Sequence, residues 1–313
     1  MRYVFLTACR NESAILEKFL AEFTTVVTAA GIAQQSMLHV VDDLSTDSSR
    51  DILERYRKSP GAISIHVIRA PTNFGNQGAM FFGLLNIEVG ADDVLITFDC
   101  DGEDDVRQFQ SILELGRANA DKLVLIERGR RAESLAFKVF FACYKLLFRF
   151  LTRQTIVPNN FMLIPGAYIP FIRRSALAPL HFAYAVLKLR LPSVAVVRDR
   201  RQRYGGHTSQ DLFSLVSHGM VGLMVFYETV IAKLFFLLFL FGFAATAIFG
   251  LALLLPDGDF AAQRALLWSV LAMGMGAAWL FALLLSAALA LLFKMSVFNQ
   301  AADERLATAN HPR

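Results

Sequence analysis

The sequence predicts an α/β protein: a mostly parallel sheet flanked by helices, then amphipathic juxtamembrane helices and a C-terminal two-helix transmembrane hairpin. Three observations predict it. Short apolar runs alternate with stretches of helical periodicity from Tyr3 to Phe98, the order expected of a parallel sheet covered by helices. Two of these runs end in acidic pairs, Asp42-Asp43 and Asp99-x-Asp101, at the strand ends where such sheets bind ligands. Beyond Lys233 the composition turns abruptly to Leu, Phe, Ala and Gly. The 313 residues are 55% hydrophobic, with mean hydropathy +0.45, above the roughly 45–50% apolar content of ordinary soluble domains.

Residues 2–8 read as a buried strand. A helix follows, with Ile15, Leu16, Phe19, Leu20 and Phe23 at helical spacing and Ser13 as a candidate cap. Met37–Val41 is a second strand, ending at Asp42-Asp43. Ser45 and Asp47, both ordinary N-cap types, open a helix to Tyr56. Ile63–Arg69 is a third strand, Gly75–Leu85 a loop passing into a helix, and Asp93–Phe98 a fourth strand.

This first domain is expected to span 1–210 and to face the cytosol. The only apolar run near the N-terminus, Tyr3–Ala8, is too short for a signal-peptide core. Residues 134–152 form an aromatic amphipathic stretch, suited either to a membrane interface or to the domain core. A second amphipathic helix is expected at 211–233. Uncharged segments at 234–255 and 265–293 are each long enough, at about 1.5 Å per residue, for a hydrocarbon core of roughly 30 Å. The short Pro256-Asp257-Gly258-Asp259 connector makes them an antiparallel hairpin. Lys233 precedes the first span, and Lys294, Arg305 and Arg313 follow the second. The positive-inside rule then gives a multi-pass protein of the inner membrane with both termini cytosolic, including a polar tail at 296–313. Gly274 and Gly276 would allow close helix packing, and with it a homo-oligomer.

A net charge of +4 is too small to argue for nucleic acid. The basic residues cluster instead: Arg128, Arg130, Arg131, Lys138, Lys145, Arg149 and Arg153 in one stretch, Arg198, Arg200, Arg201 and Arg203 in another, either of which suits phosphates or anionic headgroups or else forms a solvated, positive-inside flank. Cys9, Cys100 and Cys143 fit no zinc or disulfide pattern.

The strongest chemical signal is Phe98-Asp99-Cys100-Asp101-Gly102-Glu103-Asp104-Asp105. Carboxylates this dense repel one another, and a cation among them relieves the repulsion. Mg²⁺ or Mn²⁺ suits such oxygen ligands and keeps a nucleotide diphosphate in its remaining positions. Asp42 and Asp43 offer acceptors for a base N–H or a ribose hydroxyl. The third signal, Asn73-Phe74-Gly75-Asn76-Gln77-Gly78-Ala79, places glycines where backbone must approach a ligand closely.

Taken in order with Asn11-Glu12 at the end of the first strand, these motifs resemble glycosyltransferase family 2, inverting enzymes of the GT-A fold, over about residues 3–210. The resemblance implies that Glu12, Asp42 and Asp43 hold the base and ribose, with Gly75, Gln77 and Asp99 also on the nucleotide-sugar donor. It implies Asp99, Asp101 and Glu103 as metal ligands, and a UDP-sugar or GDP-sugar as donor. Within the family the chain is similar to polyprenyl-phosphate glycosyltransferases of the dolichyl-phosphate mannose synthase type. The features are Arg128-x-x-Arg131, the aromatic stretch behind it, and Arg203-x-x-Gly206-x-Thr208. That likeness implies Arg128, Arg131, Arg203 and Thr208 on an acceptor phosphate, with Asp101 and the three arginines as the catalytic set. Two departures stand out. The usual Pro-x-Tyr-Asn-Glu start is here Ala8-Cys9-Arg10-Asn11-Glu12, and Gln-Asp-Pro-Pro is Glu103-Asp104-Asp105-Val106. The expected activity is transfer of a sugar to a polyprenyl phosphate at the cytosolic membrane face. The alternatives are a glycan or glycolipid acceptor, or a non-catalytic scaffold.

Overall fold

A computed structural model describes residues 1–59, 61, 63–129, 135–155, 160–199, 201–205, 212–253, 262, 264–279, 281–282 and 285. The order is β1 (Tyr3–Cys9), α1 (Ser13–Ala29), β2 (Ser36–Asp42), α2 (Ser49–Lys58), β3 (Ser64–Arg69), α3 (Gly75–Leu85), β4 (Val94–Thr97) and α4 (Phe109–Ala118). There follow β5 (Leu123–Arg128), α5 (Leu135–Thr152), β6 (Met162–Pro165), α6 (Ile169–Arg173), α7 (Phe182–Lys188), β7 (Ser193–Arg198), α8 (Leu212–Met224) and α9 (Tyr227–Leu253).

The strands form one seven-stranded sheet in the order β3-β2-β1-β4-β6-β5-β7. All adjacent pairs are parallel except those made by β6, which runs antiparallel to both β4 and β5. The sheet therefore presents the carboxyl ends of β1, β2, β4 and β5, and the amino end of β6, along a single edge. The central strand β1 is buried at every position, whereas the edge strands β3 and β7 alternate exposed and half-buried residues. That contrast is why a continuous apolar run marks β1 in the sequence.

Each face has its own core. On one, Phe19 and Phe23 of α1 join a cluster with Phe5, Phe98 and Phe109, to which Phe161 adds through Phe98 and Phe109, with ring centroids 5.0–6.4 Å apart for the contacting pairs. The apolar positions expected for α1 are the buried ones, joined by Val27. On the other face, Leu6, Val41, Leu95 and Ile164 pack under α3, α6 and α7. A third cluster, Phe148, Tyr184, Val225, Phe226 and Val230, attaches α5 and the start of α9 to α7.

The expected helix at 134–152 forms as α5 and packs on the domain core by one side. Phe148 is fully buried on the domain, while Leu146, Leu147 and Phe150 on other faces are exposed. The helix expected at 211–233 is instead divided. Val225 and Phe226 turn inward against Phe148 and Tyr184, ending α8, and the Val230 amide bonds to the Phe226 carbonyl (3.0 Å) to start α9. Lys233 thus lies within α9 rather than ahead of it.

Among the described residues one helix is long and apolar enough to cross a membrane, over Tyr227–Ile248. Of the expected second span, 265–279 is helical and most of the remainder lies outside the described residues. The tail at 296–313 lies outside them too, so a two-span hairpin is not established.

Candidate active site

The carboxyl edge is built by interlocking three loops. Asn11 adopts φ +55° and Leu44 φ +59°, and the two turns bind each other. The Asn11 amide donates to Ser45 Oγ (3.1 Å), and Asn11 Oδ1 accepts from the Thr46 amide (2.8 Å). The expected cap Ser13 does not cap α1; its own amide donates to Asp47 Oδ2 (3.0 Å). Asp47 Oδ1 also accepts from the Ser49 amide (2.9 Å), so one carboxylate serves the amino ends of both α1 and α2. Burial opposes its charge, but the hydrogen bonds from Ser13 and Ser49 outweigh that and hold the Asp47 carboxyl at about 2.

Asp42 and Asp43, expected on the donor, are both buried. Asp42 Oδ1 accepts from the Ser45 amide (3.0 Å). Asp43 Oδ1 accepts from the Phe74 amide (2.7 Å), at the start of α3. Burial pushes the Asp43 carboxyl up, and the Phe74 and Gly75 amides pull it partly back. Asp43 thus fixes the glycine turn, whose Gly75 has φ +69°, a conformation costly for any residue with a Cβ.

Asp99 is held by a relay of amides. Its Oδ1 accepts from Asn76 Nδ2 (3.1 Å) and Asn160 Nδ2 (2.9 Å). Asn160 Oδ1 accepts from Gln77 Nε2 (2.7 Å), and Gln77 Oε1 from the Ala183 amide of α7 (3.1 Å). Thr97 Oγ1 donates to the Asn160 carbonyl (2.5 Å), tying the relay to β4. The glycine motif and the acidic motif, distant in sequence, are therefore one constellation. Asn160 was not singled out by sequence reasoning. Its place just before the apolar run Phe161–Ile164 is its only local signal, and pairing of β6 beside β4 is what delivers it.

Asp101 has a different set of partners. Its Oδ1 accepts from the Glu103 amide (2.9 Å), and its Oδ2 lies 3.6 Å from Arg203 Nη1. Arg203 Nη2 donates to Glu12 Oε1 (2.5 Å). One guanidinium thus bridges the end of β1 and the acidic loop. Residues 201–205 lie across that loop: the Tyr204 amide bonds to the Asp101 carbonyl (3.1 Å) and the Arg201 amide to the Glu103 carbonyl (3.2 Å). The Tyr204 ring fills the space where a Cβ on Gly102 would stand, and Gly102 itself has φ +88°. Burial pushes the Asp101 carboxyl up and the charge of Asp99 adds to this; burial also raises Glu12, against the pull of Arg203.

The residues present fit a divalent metal. A hard cation that retains phosphate and water ligands needs only one or two carboxylates from the protein. Asp101, whose ionisation is disfavoured by burial and by Asp99, is a group such a cation would stabilise in its charged form. Among the described residues no three acidic, imidazole or thiol groups converge into a closed cage, so the full set Asp99, Asp101 and Glu103 is not preassembled. Of the expected acceptor residues, Arg128 ends β5 on the same edge, while Arg131 and Thr208 lie outside the described residues.

A parallel sheet broken by one antiparallel strand, with an acidic loop after β4, is the GT-A arrangement. The chain belongs to glycosyltransferase family 2, whose sequence model matches residues 5–177. Glucosyl-3-phosphoglycerate synthase from Mycobacterium tuberculosis, solved with Mn²⁺, UDP-glucose and phosphoglyceric acid, shares the fold at TM-score 0.52 and 14% identity, over 73% of this chain and 79% of that one. The mannosyltransferase PcManGT from Pyrobaculum calidifontis, with GDP-mannose and Mn²⁺, matches at TM-score 0.48 and 12% identity, over 97% and 87%. Staphylococcus aureus TarS 1–349 matches at TM-score 0.42 and 16% identity, over 71% of this chain and 65% of that one. No curated protein matches this chain in sequence.

Proposed function

We propose that this protein transfers a sugar from a nucleotide-diphosphate donor, with inversion and with Mg²⁺ or Mn²⁺, to a polyprenyl phosphate at the cytosolic face of the inner membrane. The observation that carries the reading is the joined constellation of Asp99, Asn160, Asn76 and Gln77 beside Asp101, on the sheet edge where α/β proteins bind their ligands. The family and the donor-and-metal complexes of the M. tuberculosis enzyme support it.

Asp99 and Asp101 would hold the metal, which when bound neutralises the leaving nucleotide diphosphate. The relay through Asn160 fixes the Asp99 carboxylate before the donor arrives, so its orientation costs little on binding. Glu12, Asp42 and Asp43 would hold the base and ribose. A lipid phosphate is already anionic and attacks the anomeric carbon without a strong base, in a single displacement that inverts the centre. Arg128, Arg131 and Arg203 would orient it, their planar forks matching phosphate oxygens. The placement of α5 and the first turns of α9 against the domain supports a membrane-borne acceptor.

The test is nucleotide diphosphate release by the purified chain with UDP- and GDP-sugars and Mn²⁺, with and without undecaprenyl phosphate. Release should require one donor, the metal and the lipid. Asp101→Ala should lower turnover at least about 10³-fold, a loss in the range known for removal of one electrostatic stabiliser. Full activity of that variant overturns the metal role, and transfer only to a glycan overturns the lipid acceptor.

A further inference from the structure

Residues 201–205 follow β7, belong to no helix or strand, and cross the acidic loop as a strap. Two backbone bonds join it to that loop, from the Arg201 and Tyr204 amides to the Glu103 and Asp101 carbonyls. Both acceptors are themselves loop residues, so neither bond ties the strap to a regular element. That tie comes from α1. Arg201 Nη1 donates to both oxygens of Glu22 (2.7 and 2.8 Å). The Tyr204 hydroxyl bonds to the same carboxylate, and burial together with this bond pushes the phenol up. Lys18, one turn earlier on α1, lies 5.2 Å from the centroid of the Tyr204 ring, and the Arg201 guanidinium lies 5.1 Å from it.

Glu22 also reaches the far end of the acidic loop. Arg107 Nε is 3.8 Å from Glu22 Oε1, and Arg107 grips Asp105 through Nε and Nη2 (2.8 and 2.7 Å). An isolated surface ion pair orders little. Here one part-buried carboxylate has three partners from two segments, on a helix whose Phe19 and Phe23 are fixed in the core. Arg203 stands between the two anchored residues of the strap, with its guanidinium on Glu12 Oε1 (2.5 Å) and 3.6 Å from Asp101 Oδ2. Glu22 is roughly 15 Å further along α1 than Glu12, at 1.5 Å per residue. Its route to Arg203 runs through Arg201 and Tyr204.

We propose that Glu22 is a positioning residue: its carboxylate anchors the 201–205 strap to α1 and so holds the Arg203 guanidinium on Glu12 and Asp101. The anchor itself is independent of the reaction. Its consequence for catalysis rests on the proposed function, in which a strap already in place spares the acceptor phosphate the cost of ordering the arginine.

The first measurements need no substrate and use the purified full chain in a neutral detergent. Glu22→Gln, close in shape but uncharged, should speed phenylglyoxal modification of Arg203 about tenfold, as loss of a supporting partner does elsewhere, read by peptide mass spectrometry. Deuterium uptake over 201–205 should rise with it, at an unchanged melting temperature. Glu22→Asp, which keeps the charge, should recover part of the protection. Arg201→Gln breaks the same contact from the strap, so the double variant should be no worse than either single change; if Glu22→Gln fails to fold, Arg201→Gln decides alone. With donor, Mn²⁺ and undecaprenyl phosphate, Glu22→Gln should raise the acceptor KM about tenfold and leave kcat and the donor KM within about twofold. Unchanged Arg203 reactivity or unchanged strap exchange overturns the anchor, whatever reaction the chain performs. Raised reactivity with an unchanged acceptor KM overturns the positioning role. If the native chain transfers nothing to the lipid phosphate, the proposed function fails, and the modification and exchange rates alone decide this inference.

Discussion

Asn160 shows how much of the site depends on one side chain. It is buried, it accepts from Gln77, and it donates to Asp99 and to Asn76 Oδ1 (2.6 Å). Asn160→Ala removes the clamp on Asp99 and leaves Gln77 without its acceptor. Loss of such a supporting partner typically costs 10–100-fold in metal affinity or activity. The expected outcome is a rise of about that size in the Mn²⁺ or donor concentration for half-maximal rate, with the melting temperature little changed. The acidic motif and the glycine motif were legible in the sequence because each is contiguous at a strand end. Asn160 was not, since its partners are Gln77 and Asp99 and only the folded sheet assembles them. Arg203 was expected on a phosphate, but its pairing with Glu12 and Asp101 depends on a return of the chain from beyond β7.

At the level of elements, the joint amino ends of α1 and α2 carry a prediction about pH. Asp47 is held at about 2, below the usual carboxylate range, so its contribution to stability is complete above about pH 4 and is lost as pH falls toward 2. Asp47→Ala removes a cap shared by two helices and should cost about 1 kcal/mol at pH 7, read as roughly 2–4 °C in melting temperature. The gap between variant and native chain should narrow at pH 3. An unchanged gap would mean that Asp47 stabilises by something other than its charge. The first four strands and three helices were readable because alternation and helical spacing are local. The divided helix at Val225–Phe226 was not, because the sequence there stays apolar and helix-compatible; the break comes from the pocket that Phe148 and Tyr184 offer. The antiparallel direction of β6 likewise has no local signature.

For the whole molecule, the question is what α9 does. Phe235, Phe236, Phe239 and Phe243 are all well over half exposed among the described residues, with only Phe281 near Phe235 (ring centroids 6.4 Å apart). Phe239→Arg puts a charge near the middle of the candidate span, at a cost of about 2.5–3.5 kcal/mol on an insertion scale. The expected outcome is a chain that shifts from the carbonate-resistant membrane fraction toward the soluble or aggregated one. Retention of the native fraction would show that α9 lies in the interface or packs on another subunit.

The bridge from Arg203 to Glu12 and Asp101 gives the reaction a schedule. The arginine bridges the two carboxylates that the proposed function sets beside the donor, so on that reading donor entry is an exchange of partners. Only after that exchange is the guanidinium free for a second anion. Steady-state kinetics should therefore be compulsory-ordered, donor first and acceptor second, with the lipid phosphate alone unable to protect Arg203 from a guanidinium-directed reagent. Random order would mean that the bridge opens by itself.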